Sequence, residues 1–398
     1  MLKTINILST AALPWRTGTA ILALLRAHAL AQRGLDVCLY LPWIPPKQQL
    51  RLFGDAECRD NGGFPTPSAQ ASYIRSQLPQ PACPRLLIEF YPARYWDALG
   101  SILPTVGLPK RLRPCDWLIL EEPEHLNWAQ PWNRYRERAA RVTGIVLTNY
   151  RYYCEQALPR LPRVAGWLER YNRWLIEHRC DDVILLADIL PDLAKAQRLL
   201  ISGIHPAFFD HAGQADNRQN LYFMGKLIWE KGFRELIDLL ADGVNHCADQ
   251  SADQSADRSI DVFGIGRDRA AIADYARARG VQLNFRGLST APAADIARYR
   301  VFINASKSEM LCTTTAEALG QRKFVILPRD PSNELFYPFQ NALCYSSPEE
   351  FQACLRHALS HQPVADPLEA SLSWDAAVDR LLDYYERGSG RNDERGQM

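Results

Sequence analysis

The stretch Leu221-Tyr222-Phe223-Met224-Gly225-Lys226-Leu227-Ile228-Trp229-Glu230-Lys231-Gly232 decides how the chain is read. Four apolar residues without alternation suit a strand buried on both faces, as in a parallel sheet. The run stops at Gly225, and a helical pattern follows. Strand, turn and helix in that order make a βαβ unit. In an open α/β sheet, ligands bind beyond the carboxyl ends of the strands. Lys226 and Lys231 flank the turn at such an end. Two ammonium groups there can neutralise a diphosphate leaving group. Lysines are more often solvated surface residues, but the flanking glycines favour a ligand site.

The same grammar extends in both directions. Short apolar runs occur at Ile5–Thr10, Val37–Leu41, Leu86–Phe90, Trp117–Leu120, Gly144–Thr148, Val183–Ala187 and Leu199–Ser202. A second series comprises Leu221–Met224, Ile260–Phe263, Val281–Phe285, Val301–Asn304, Phe324–Leu327 and Ala342–Tyr345. Helical patterns separate them. Two series predict an α/β protein of two doubly wound domains, residues 1–205 and 206–372, with a polar, turn-rich linker at 206–219. Residues 373–398 are expected to form a last helix, capped by Ser373 with Asp375 in its first turn, that returns to the first domain. A frayed polar tail is expected from Gly388. A tetrapeptide repeat at 248–259 reads as a solvent loop, because Ala, Ser, Gln and Asp cannot bury a core.

Length and composition fit this reading. The 398 residues suggest two or, on length alone, three domains. The formal net charge of +1 lacks the broad basic excess of a nucleic-acid binder. No apolar run reaches the ~18–20 residues of a membrane span, and Ile5-Asn6-Ile7-Leu8 is too short for the core of a signal peptide. A cytoplasmic location is expected. The 10 cysteines form no C-x-x-C pair, so they are expected to be reduced core residues rather than zinc ligands.

Three further segments can carry chemistry. Trp15-Arg16-Thr17-Gly18-Thr19-Ala20 opens a helix, where free amides can meet an anion; an ordinary turn is about as good a reading. Asp261-Val262-Phe263-Gly264-Ile265-Gly266 ends a strand in Gly-x-Gly, which leaves room for a ligand against backbone. The most specific is Ser308-Glu309-Met310-Leu311-Cys312-Thr313-Thr314-Thr315-Ala316-Glu317-Ala318-Leu319-Gly320. Thr313 begins a helix and Glu317 lies one turn further. A loop carboxylate, Glu309, can bind sugar hydroxyls. A helix carboxylate, Glu317, can bind a ribose diol, and the amides between them can hold phosphate. A cap and a solvated face would explain each glutamate separately, but not the apolar Met310, Leu311, Ala316, Ala318 and Leu319 around them.

With Glu309 and Glu317 in a glutamate-x7-glutamate pair, and Lys226 and Lys231 upstream, the sequence resembles the retaining GT-B glycosyltransferases of family 4. Within it, the chain is similar to the digalactosyldiacylglycerol synthase branch. The likeness spans almost the whole chain, and its most particular part is Glu121-Glu122-Pro123-Glu124-His125-Leu126-Asn127-Trp128. The resemblance implies two Rossmann-like domains facing a cleft. It implies transfer of galactose from UDP-galactose to monogalactosyldiacylglycerol, with retained configuration, no cofactor and no metal. Lys226 and Lys231 would stabilise departing UDP. Glu317 would hold the ribose and Glu309 the sugar hydroxyls. Gly18, Thr19, Gly225, Gly264, Gly266, Met310, Leu311, Cys312 and Thr313 would complete the donor site.

One departure bears on the sugar. The family pattern at Leu147-Thr148-Asn149-Tyr150 begins with histidine, and leucine can neither donate a hydrogen bond nor move a proton. Either the contact is dispensable, or His125, placed among Glu121, Glu122 and Glu124, takes it over, or the enzyme is slow or altered in specificity. From Pro131 to Cys180 there are ten arginines and four glutamates, a surplus of six positive charges interleaved with aromatics. Arg134, Arg151, Trp167, Arg170 and Trp174 are therefore expected to face an anionic membrane carrying the glycolipid acceptor, which makes the protein peripheral. UDP-glucose or another lipid or glycan acceptor is the alternative. A GT-B epimerase and a degenerate sugar-nucleotide-binding protein are remoter ones.

Overall fold

The computed structural model describes residues 2–53, 63–79, 83–97, 99–157, 162–186, 193, 195–215, 221–242, 259–289, 291–306 and 312–395. Glu309, Met310, Leu311 and the repeat up to residue 258 lie outside them. Two compact units emerge: Met1–Ser202 with Val378–Met398, and Gly203–Ala377.

The first unit holds β1 (Thr4–Leu8), β2 (Asp36–Trp43), β3 (Leu86–Trp96), β4 (Ser101–Pro104), β5 (Cys115–Glu121), β6 (Ala139–Val146), β7 (Asp182–Leu185) and β8 (Ala196–Arg198). Their spatial order is β4-β3-β2-β1-β5-β6-β7-β8, and β3 with β4 is the antiparallel pair. Trp117, Leu118, Ile119 and Leu120 of β5 are each fully buried. Both faces of that strand are covered, which is why its sequence shows no alternation. Among the flanking helices, Gly18–Gln32 starts at Thr17, whose hydroxyl accepts from the Ala20 amide at 3.2 Å.

The second unit holds β9 (Leu221–Met224), β10 (Ser259–Phe263), β11 (Gln282–Gly287), β12 (Val301–Ile303), β13 (Phe324–Pro328) and β14 (Ala342–Tyr345). Their order is β11-β10-β9-β12-β13-β14, all parallel. Helices such as Phe233–Asp242 and Pro348–Ser360 pack Leu236, Ile237 and Phe351 onto Leu221, Val262, Val301 and Ile326. Both sheets are doubly wound. Strand order reverses between β1 and β5 in one and between β9 and β12 in the other, so each unit has a crevice at the carboxyl ends of those strands.

Several expectations need correction. Leu199–Ser202 is not a strand. Leu199 adds one backbone bond to Leu185, but the Leu200 carbonyl then accepts from Arg380 and the Ile201 carbonyl from Arg26. The segment expected as linker contains the short helix Ala207–Asp210, with Phe208 buried. The last helix begins as expected, its Ser373 hydroxyl accepting from the Ala376 amide at 3.1 Å. It does not fray at Gly388 but runs from Trp374 to Arg395. Gly388 lets the Arg141 guanidinium come close, 2.3 Å from where a Cβ would stand. Arg141 also donates to the Tyr385 carbonyl at 2.6 Å, and the Tyr384 hydroxyl donates to Asp182 at 3.0 Å.

Candidate active site

In the second unit, the turns after β9 and β10 are bound to each other. The Gly225 amide donates to the Phe263 carbonyl and the Leu227 amide to the Ile265 carbonyl, both at 3.0 Å. A Cβ on Gly264 would lie 1.9 Å from the Gly225 carbonyl oxygen, and one on Gly266 would lie 2.2 Å from that of Leu227. Gly264 also has φ +135°, a conformation side chains rarely adopt. These two glycines are thus required by the neighbouring loop, a reason the sequence did not reveal. Gly232, at φ +78°, similarly admits the Ala305 carbonyl. The paired turns fix the backbone that carries Lys226, exposed, and Lys231, half-buried. Between the lysines, Trp229 donates its amide to Asp268 at 3.1 Å, and Glu230 pairs with Arg267.

The chain leaving β12, ahead of Glu309, is anchored at its start. The Asn304 side chain donates to Thr315 at 3.2 Å and accepts from the Ser306 amide at 3.0 Å. Asn333 donates to the Pro328 carbonyl at 3.2 Å and lies 3.4 Å from Asn304. On the far side, the helix Thr313–Gly320 starts at the buried Cys312, and its carbonyl accepts from Thr315 and Ala316. Burial pushes the Glu317 carboxyl up to about 8. It is therefore mostly protonated at neutral pH in the empty site. Beside it, the Tyr222 hydroxyl is buried without a hydrogen-bond partner among the described residues, and the charges of Glu317 and Cys312 add to burial in raising it.

In the first unit, Gly18 is exposed, and a Cβ there would meet nothing within 4 Å. Thr19 follows in the first turn of the same helix. The charged block Glu121–His125 sits at the switch point, and each of its side chains is buried. Glu121 pairs with Arg26 at 2.9 Å, both fully enclosed. Glu122 accepts from the hydroxyls of Thr10 and Thr148, and the His125 Nδ1 lies 3.5 Å away. Burial alone would raise the Glu122 carboxyl; His125 and the two hydroxyls outweigh it and hold the group low. Burial pushes Glu124 up to about 8. His125 packs against Trp128 at 4.7 Å, and its Nδ1 is 2.8 Å from the Tyr150 hydroxyl. Thr10, Glu122, Thr148 and Tyr150 were missed as site residues. Glu122 stood in one quoted block and Thr148 and Tyr150 in another, but with Thr10 they come from separate strand ends and a helix start, which sequence spacing alone does not bring together.

The arginine-rich segment is rearranged by pairing. Asp181 and Asp182, just past the counted window, take Arg136 and Arg141, so including them lowers the surplus from six to four. Arg151 is held by Glu155 at 2.9 Å and Glu169 at 2.7 Å, while Arg134 and Arg170 are exposed. Along the helix Pro162–Arg179, Trp167, Tyr171 and Trp174 stack with interplanar angles of 11° and 13°. Trp132 meets Trp174 edge-on at 5.9 Å. The ladder's ends are open, with Trp132 75% and Trp167 58% exposed.

Among the described residues, no group of three or more His, Cys, Asp or Glu is placed to hold a metal, and no helix is long and apolar enough to cross a membrane.

No family model matches the chain. Over 407 aligned positions it is 35% identical to digalactosyldiacylglycerol synthase 1, chloroplastic, of Lotus japonicus, covering 98% of this chain and 50% of that protein. It is 33% identical to digalactosyldiacylglycerol synthase 2, chloroplastic, of Glycine max, covering 95% of this chain and 82% of the relative. The chain spans about half the length of the synthase 1 relatives it matches. Among solved structures, WaaG, a glycosyltransferase involved in lipopolysaccharide biosynthesis, aligns with a TM-score of 0.56 at 14% identity, covering 96% of this chain and 95% of that one. HepE of Anabaena in complex with UDP aligns with a TM-score of 0.56 at 12% identity, covering 99% and 100%. Those two likenesses are of fold, and they match the paired Rossmann-like sheets of GT-B glycosyltransferases. The sequence identity is what decides the family: this chain belongs to the digalactosyldiacylglycerol synthases.

Proposed function

We propose that the chain is a retaining galactosyltransferase that moves galactose from UDP-galactose to monogalactosyldiacylglycerol, forming digalactosyldiacylglycerol. The observation that carries this is the 33% identity across 82% of a synthase of that name. The described site supports it. Lys226 and Lys231, on a turn fixed by Gly264 and Gly266, offset the charge that develops on UDP as it leaves. Amides at the Thr313 helix start face phosphate and Glu317 takes the ribose diol; Glu309, outside the described residues, takes sugar hydroxyls on the family resemblance alone. HepE's complex with UDP is consistent with a nucleotide-sugar donor. The reaction needs no metal in this reading, which rests on the family resemblance and on a sequence without an Asp-x-Asp pair.

The lipid acceptor implies a membrane surface, and the protein docks on it peripherally from the cytoplasmic side. The aromatic ladder is the docking face, with Arg134 and Arg170 beside it reaching anionic headgroups. Leu147 favours one second reading, transfer of another hexose such as glucose, because it removes a polar side chain expected near the sugar.

A matrix assay tests these readings. Monogalactosyl-, monoglucosyl- and unmodified diacylglycerol are each offered with UDP-galactose and UDP-glucose, with and without a chelator. Digalactosyl product from monogalactolipid and UDP-galactose, unaffected by the chelator, is the expected result. Its absence overturns the proposal, and product made only from UDP-glucose establishes the second reading.

A further inference from the structure

Glu122 stands in the left-handed region at φ 60° and ψ 65°. A residue with a Cβ adopts that conformation at a cost, so something holds it there. Its side chain is the hub of the first unit's crevice. Thr10 and Thr148, which donate to it, follow β1 and β6, the strands on either side of β5. An ionised carboxylate is an acceptor only; the His125 Nδ1 lies 3.5 Å from this one, and the Tyr150 hydroxyl also bonds to it. The Tyr150 hydroxyl lies 2.8 Å from that same nitrogen. Trp128 covers the imidazole at 4.7 Å, and Tyr150 meets it edge-on at 5.7 Å. The ring is therefore clamped on one nitrogen and along its faces. Its other nitrogen, Nε2, is buried with no hydrogen-bond partner among the described residues. A buried polar atom left open in so ordered a network is costly unless a ligand completes it.

We infer that Glu122 is a positioning residue: it draws the His125 ring proton to Nδ1, leaving Nε2 as a bare acceptor for a hydroxyl of the sugar being transferred or extended. A carboxylate beside one imidazole nitrogen selects the tautomer in this way. The hydroxyl of a hexose is the matching donor. His125 thereby takes over the polar contact that Leu147 cannot make. The identity of the sugar rests on the galactosyltransferase proposal; the tautomer does not.

The test uses the full chain labelled with 15N-histidine, with the His125 signal identified by its loss in His125→Ala. Long-range 1H–15N correlation shows which ring nitrogen carries the proton. The wild type is expected to carry it on Nδ1, and Glu122→Gln, whose amide can donate, is expected to shift it toward Nε2. In the same variant kcat/KM is expected to fall about tenfold to a hundredfold, with UDP affinity unchanged. A fall carried by the galactolipid KM assigns the hydroxyl to the acceptor; one carried by the UDP-sugar KM assigns it to the donor. A wild-type proton on Nε2 overturns the inference without need of any variant. An unchanged tautomer or unchanged kcat/KM in Glu122→Gln also overturns it. Because the tautomer is read without turnover, failure of galactosyl transfer and failure of this inference are separate results.

Discussion

Arg26→Met removes the counter-charge that pairs with a fully enclosed carboxylate. Arg26 donates to Glu121 at 2.9 Å and to the Ile201 carbonyl, and neither side chain of the ion pair is exposed. Methionine fills much of the same volume, so the loss is chiefly electrostatic. Leaving one member of a buried pair uncompensated costs about 3–5 kcal/mol. For a unit of this size each kcal/mol lowers Tm by about 2–4 °C, so a fall of roughly 10 °C is expected in the first unit's transition. The loss carries a pH signature. Burial already raises Glu121 above the ordinary carboxylate range, with Arg26 opposing that rise. Without Arg26 the folded-state value climbs further, and the folded protein keeps a proton that the unfolded chain releases. Stability must then fall as pH rises from the unfolded value, near 4.5, toward the folded one. Urea unfolding at pH 5 and pH 8 measures this, with the larger deficit expected at pH 8. Arg26→Met with Glu121→Leu should recover most of the loss, since a well-packed apolar pair can replace a buried ionic one. An equal deficit at both pH values, or no recovery in the double variant, refutes the reasoning.

Three other outcomes are expected. Gly264→Ala should cost about 2–4 kcal/mol, because it combines a conformation open only to glycine with a clash against the Gly225 carbonyl; Gly280→Ala, where a Cβ meets nothing within 4 Å, should cost only about 1–2 kcal/mol in denaturant titrations. If the Glu317 anion binds the ribose, UDP affinity should rise by up to about tenfold per pH unit as pH approaches 8, then level off, because the empty site holds the acid form below that value; Glu317→Gln should flatten the profile measured by calorimetry, and a flat wild-type profile would exclude the role. Trp132→Ala with Trp167→Ala should lower partitioning onto galactolipid vesicles by about tenfold or more while leaving activity on a short-chain soluble acceptor unchanged; undiminished vesicle binding would rule out the ladder.

Much of the sheet architecture was legible because parallel strands buried on both faces write themselves as unbroken apolar runs. Leu221–Met224 and Ala342–Tyr345 are strands at those very residues. β6 begins at Ala139, earlier than expected, because Arg141 interrupts its apolar run while pairing with Asp182. β4 went unseen: it is a four-residue antiparallel edge with no βαβ pattern around it. Lys323 was illegible for another reason. It is fully buried, and its ammonium donates to the carbonyls of Ala297 and Tyr299 at 2.9 and 2.6 Å. Backbone partners leave no residue-type signature. The glycines of the donor-side turns were found, but their partner is neighbouring backbone. The charge surplus was a matter of framing, since a window ending at Cys180 omits the two aspartates that follow.

The passage of the last helix into the first unit has a consequence for how the protein comes to be. Residues from Val378 onward belong with Met1–Ser202 although the whole of Gly203–Ala377 intervenes. During synthesis from the amino terminus, Arg33, Arg141, Asp182 and Leu200 wait for Asp379, Tyr385, Tyr384 and Arg380 while another 175 residues are made. The second unit has a continuous sequence and can close as soon as it leaves the ribosome. The first cannot, although its strands are made first. Vectorial synthesis thus reverses the expected order in which the two units mature.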